Sequence, residues 1–81
     1  MELKIIKQNY FEKYGNDCLI EDAFVLYKVF DTYVVENIRK YNGWCDDGLH
    51  YNKKEFKYEY DALNYYAEII QAEGYYEHST I

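Results

Sequence analysis

The chain has 81 residues, 15 Asp plus Glu against 9 Lys plus Arg for a net charge of -6, no proline and 12 tyrosines. That length holds one domain, residues 1–81, around one core, and an aromatic content of 21% separates it from a disordered acidic tail. The longest wholly apolar run, Ala23 to Tyr27, falls far short of the roughly twenty residues of a spanning helix, so no membrane association is expected.

At the N-terminus Leu3-Lys4-Ile5 alternates like a strand, and a strand over Glu2 to Lys7 is the reading adopted. Leu3, Ile6, Tyr10 and Tyr14 followed by Gly15 also fit a helix with a glycine cap, which stands as the alternative for residues 1–20. The apolar pair Ile5-Ile6 is too short for an export leader, which predicts a cytoplasmic protein. Cys18 and Cys45 are then expected as reduced, buried small hydrophobes.

From Ala23 to Tyr41 the chain is rich in β-branched and aromatic residues. Two strands are predicted, about Phe24 to Phe30 and Tyr33 to Tyr41, with the turn at Asp31-Thr32. A helix competes on spacing, but it would place Asp31 within the apolar stripe and Val25 and Val29 in water. Asn42-Gly43 follows, a strong short-range hairpin signal, which predicts a type I′ turn with Trp44-Cys45 folding back on Lys40-Tyr41. Asp47-Gly48 marks another turn before a short strand at Leu49-His50-Tyr51.

Tyr58 to Glu73 reads as a helix, with Leu63, Tyr66, Ala67 and Ile70 on one face and Asp61, Asn64, Glu68 and Gln71 on the other. Glu59 and Asp61 suit its positive end, and Gly74 supplies the stop. The fold class is therefore α+β: a small antiparallel sheet, hairpin or meander, packed against a C-terminal helix.

No constellation for chemistry emerges. Cys45 and His50, with Cys18 and His78 remote, match no zinc spacing. Asp46 and Asp47 would raise the Cys45 thiol rather than activate it, and they lack the alternate oxygen ligands of a calcium loop. The glycines at 15, 43, 48 and 74 are scattered and cradle no phosphate. The expectation is a protein with no catalytic residue, metal or cofactor; a small enzyme built on Cys45, His50 and Asp47 is the remote alternative. Ser79-Thr80-Ile81 matches a C-terminal peptide ligand in only three residues.

Tyrosine and acid remain. Residues 59–81 hold five acids, five tyrosines and no Lys or Arg. Twelve phenols are too many for so small a core, since each buried hydroxyl needs a partner, and tyrosine is an effective binding residue. The candidate partner-binding residues are accordingly Trp44, Asp46, Asp47, Glu59, Asp61, Tyr65, Glu68, Glu73, Tyr75, Tyr76 and Glu77. Lys53, Lys54 and Lys57 are interleaved with Glu55 and Glu59, so no direct nucleic-acid binding is expected. Net charge averages one per roughly 870 Å², against about one per 100 Å² on duplex DNA, so an acidic surface has to arise by clustering.

The arrangement Tyr33-Val34-Val35, Trp44, Gly48 and Tyr51, then Tyr58 through Asp61-Ala62-Leu63 to Tyr65-Tyr66, resembles a strand-hairpin-helix pattern of small acidic phage and mobile-element proteins, anti-CRISPR proteins among them. The resemblance covers about the last fifty residues. It implies a small non-enzymatic inhibitor in the host cytoplasm, binding a basic nucleic-acid-handling effector and blocking nucleic-acid access or assembly. Lys53, Lys54 and Lys57 depart from uniform acidity. The other reading is a structural or regulatory interaction module, possible as a homodimer.

Overall fold

The computed structural model describes residues 2–15, 18–43 and 48–76. Its elements are β1 (Leu3–Gly15), β2 (Cys18–Val29), β3 (Thr32–Gly43), β4 (Gly48–Phe56) and α1 (Glu59–Ala72). The strands form an antiparallel meander in the order β1-β2-β3-β4, with α1 packed on one side. A strand of 12 or 13 residues spans about 40 Å and a 14-residue helix about 21 Å, so the helix covers half the length of a molecule 42 Å long.

The strands are longer than their sequence signals. The N-terminal strand continues through Gly15 because Tyr10, Phe11 and Tyr14 pair with Ala23, Asp22 and Leu19, which removes the helical alternative. A bulge between Ile5 and Lys7 lets Ile6 pack on the core. The β2–β3 turn is Phe30-Asp31, one residue earlier than the pattern suggests, with Val29 opposite Thr32. Phe30 takes a positive φ of 54° there, where glycine is usual; for a side-chain-bearing residue this costs about 1–2 kcal/mol.

Asn42-Gly43 does not form the expected type I′ turn. Both residues remain in β3, opposite Leu19 and Cys18, and β4 begins at Gly48 opposite Tyr41. Only Gly43 of the pair has positive φ, so pairing to β2 overrides the local turn preference. Trp44 and Cys45 lie outside the described residues. Cys18 is buried and disulfide-bonded rather than reduced, and it pairs with Gly43 at the end of β3.

Helix α1 forms where the sequence places it. It buries Ala62, Tyr66 and Ile70 at four-residue spacing against Phe24, Leu26 and Val35, about 1.5–3 kcal/mol for each large side chain. Its end is a Schellman motif: the Gly74 N–H donates to the Gln71 carbonyl and the Tyr75 N–H to the Ile70 carbonyl, with Gly74 at φ 85°. This turn throws Tyr75 back onto the sheet, stacked on Phe11 at 4.4 Å between centroids and edge-on to Phe24.

Beneath it lies Asp22, fully buried. Its carboxylate accepts hydrogen bonds from Arg39 Nε at 2.8 Å, Arg39 Nη2 at 2.9 Å and the Tyr75 hydroxyl at 2.6 Å. Arg39 also donates to Glu73, which Lys13 pairs with at 3.2 Å. Burial pushes Asp22 up, but the Arg39, Tyr75 and Asn37 contacts outweigh it and hold the carboxyl below its usual range.

Candidate functional site

Strand alternation divides the sheet residues between a side facing α1 and an open side. Phe24 and Leu26 define the helix side. Cross-strand pairing then places Lys4, Lys7, Lys13, Lys28, Arg39 and Lys54 on that side, with Asp22 as its strand acid. Glu12, Glu21, Glu36 and Glu55 fall on the open side with Lys40 and Lys53. The strand bases therefore gather around the acidic helix, and the strand acids collect on the uncovered face.

This changes the meaning of the acidic C-terminal block. Glu73 is paired with Arg39 and Lys13, and Glu59 shares a shallow hollow with Lys4 and Lys28. Tyr75 is buried as a core residue, and Tyr65 is half-buried against Phe56 under the Lys54 ammonium. Asp61, Glu68 and Tyr76 are exposed. Trp44, Asp46, Asp47 and Glu77 lie outside the described residues. The described candidates are thus spread along the helix and its C-terminal turn and do not converge on one cluster.

Convergence occurs on the open side. One row across the sheet reads Tyr10, Ala23, Ile38, Tyr51, from β1 to β4. Tyr10 and Tyr51 are 57% and 55% exposed and flank the smaller Ala23 and Ile38, and this row of two rings about two aliphatic side chains is here called the trough. The Tyr10 hydroxyl donates to Glu21 and lies 2.8 Å from Glu12, and the Tyr51 hydroxyl donates to Glu36. Tyr27 supplies a second donor to Glu36, and the Asn42 amide a second donor to Glu21. Because β2 and β3 are antiparallel, the Tyr10–Glu21 and Tyr51–Glu36 units are related by a local two-fold axis between Ala23 and Ile38.

Phenol donors orient these carboxylates. The Tyr10 hydroxyl, chiefly, holds Glu21 below its usual range, and hydrogen bonding to Glu36 raises Tyr51 and pushes Tyr27 up to about 12. Cations lie over rings elsewhere: Lys7 over Tyr66, Lys13 over Tyr75, Lys28 over Tyr33, Arg39 over Tyr41, Lys54 over Tyr65 and Phe56, Lys57 over Tyr58. Among the described residues, none of the trough rings carries one.

Among the described residues no group of three or more His, Cys, Asp or Glu is placed to hold a metal, and no helix is long and apolar enough to cross a membrane. His50 sits edge-on to Tyr41 at 5.1 Å, and Cys45 lies outside the described residues. Tyr10, Glu12, Glu21, Glu36, Ile38 and Tyr51 escaped the sequence reading. Their signal is the alternation Tyr10-Glu12-Tyr14 on β1 and the shared face of Glu21 and Glu36 on β2 and β3, offset by four residues in register.

Protein-family models, curated proteins and solved structures were each compared with the chain, and none matches it.

Proposed function

We propose that the chain is a non-enzymatic inhibitor that covers the basic surface of a nucleic-acid-handling host protein with its open sheet face. The observation that carries this reading is the segregation of strand charge, with four acids and two bases on the open side against one acid and six bases on the helix side. Exposed rings beside fixed carboxylates supply contact area at low entropic cost, and the acids favour encounter with a basic groove. An exposed aromatic and apolar patch of this kind is itself the usual mark of an interaction surface.

Edge-to-edge homodimerisation is less favoured. The edge strands carry Lys4, Lys7 and Lys13 on β1 and Lys53 and Lys54 on β4, with a bulge in β1, which are devices that blunt strand addition.

Affinity capture from host extract with the wild type, Ile38→Arg and Glu68→Lys tests the proposal. The wild type and Glu68→Lys should retain a nucleic-acid-binding protein that added nucleic acid displaces, and Ile38→Arg should lose it. Equal retention by all three, or indifference to nucleic acid, would contradict the reading.

The site of action belongs to the same proposal: the cytoplasm, of the host if the chain is phage-encoded. There the bonded Cys18 meets a reducing pool. Alkylation of thiols in intact cells reads the outcome, and full oxidation would move the protein to an oxidising compartment.

A further inference from the structure

We infer that the trough on the open face receives an extended segment of the partner carrying Arg or Lys at positions i and i+4 and an apolar side chain at i+2. This rests on the proposed function and specifies how the basic partner is read. Val25 is the cross-strand neighbour of Glu36 and stands four residues along β2 from Glu21. The two carboxylates are therefore separated by about 13 Å along the strands and one strand spacing of about 4.8 Å across them, roughly 14 Å between backbone positions. An extended chain covers about 13 Å between i and i+4, with both side chains on one face. The line joining Glu21 and Glu36 is inclined about 20° to the strands, inside the about 30° at which sheets pack face to face.

Chemistry matches the spacing. Each carboxylate is held by hydroxyl or amide donors, so an incoming guanidinium finds a pre-oriented acceptor beside the exposed ring of Tyr10 or Tyr51. Midway between the acids, Ala23 and Ile38 form an apolar floor for the i+2 side chain. Glu12 and Glu55 extend the negative rim, so the face keeps four acids against two bases, Lys40 and Lys53, which stand directly across from Glu21 and Glu36. Local two-fold symmetry makes the site indifferent to strand direction, so parallel and antiparallel segments bind alike.

Calorimetry with two synthetic peptides tests the inference. One carries Arg-Thr-Val-Thr-Arg between threonines; the other has the same composition with its arginines at i and i+3, on opposite faces of an extended chain. The first should bind about tenfold more tightly, Glu21→Gln and Glu36→Gln should each weaken it about tenfold, and Glu68→Gln should leave it unchanged. Equal binding of the two peptides, equal loss in Glu68→Gln, or no binding of either overturns the inference. Sedimentation equilibrium of the same sample reads the competing occupant: a dimer broken by Ile38→Arg, with no peptide bound, would assign the face to a second copy. Nucleic-acid-sensitive capture of a partner without a spacing preference would sink this inference and leave the proposed function standing.

Discussion

Asp22 and Arg39 face each other across β2 and β3 in a two-pronged ion pair, with the acid wholly buried and the base joining it to Glu73 at the end of α1. The pair ties the helix terminus to the half of the sheet that the helix does not cover. Removing one partner strands the other: Arg39→Leu should destabilise the fold by about 3–5 kcal/mol. The double variant Arg39→Leu with Asp22→Asn should lose less than the two single losses together, because no buried charge is left. Urea unfolding of the four proteins measures both quantities.

The same pair sets the acid limit. Asp22 titrates lower in the folded protein than in the unfolded chain, so its contribution is complete above the unfolded pKa of about 3.9 and is lost as pH falls through the folded value. Thermal midpoints should hold from pH 7 to about 5 and fall below about pH 4. Arg39→Leu removes the counter-charge, so the folded value of Asp22 moves up towards the unfolded one and the acid-induced fall should shrink. An acid profile unmoved by Arg39→Leu would argue against this role for the pair.

Phe30 is the place where the fold gives away stability. Its positive φ at an exposed turn asks for a residue without a Cβ. Phe30→Gly should therefore raise stability by about 1 kcal/mol. At Gly74 the same logic runs the other way, since Gly74→Ala should cost about 1 kcal/mol at φ 85° and loosen the seat of Tyr75. Melting curves of the two variants should move in opposite directions.

How far the sequence led depends on how local each signal is. Helix α1 and its stop at Gly74 were legible because apolar spacing and glycine chemistry lie within one segment. The β2–β3 hairpin was legible too. Moving its turn by one position shifts every partner by two residues, which leaves each side chain on the same face. Asn42-Gly43 misled because cross-strand pairing to Leu19 and Cys18 outweighed a local preference. The site was hidden for a related reason: Tyr10 meets Glu21, and Tyr51 meets Glu36, only through register. Charge summed in blocks along the chain cannot show that Lys13 and Arg39 answer Glu73 while Glu21 and Glu36 share a face without Arg.

The hydrogen-bonded tyrosines give an alkaline signature. A phenol whose folded pKa is raised stabilises the fold below its unfolded value near 10 and loses that contribution as pH rises through the folded value. Tyr10, Tyr27, Tyr51 and Tyr75 are all raised, Tyr27 to about 12. Phenolate absorbance should still be growing beyond pH 11. Glu36→Gln, which removes the charged acceptor of Tyr27 and Tyr51, should bring part of that late rise down towards pH 10. An unchanged titration in Glu36→Gln would contradict the hydrogen bonds that organise the trough.

Cys18 offers a separate check. A thiol reagent should find no free thiol in the native protein, and reduction should lower stability by about 2–4 kcal/mol. Free thiols in the unreduced protein would contradict the bonded state.

The open face and the outward face of α1 compete as the docking surface, and amide spectra of the nitrogen-labelled protein distinguish them during titration with the Arg-Thr-Val-Thr-Arg peptide. The account expects the shifts to concentrate at Tyr10, Glu21, Ala23, Glu36, Ile38 and Tyr51. Shifts centred on Asp61, Glu68 and Tyr76 would contradict it and return the interaction to the acidic helix.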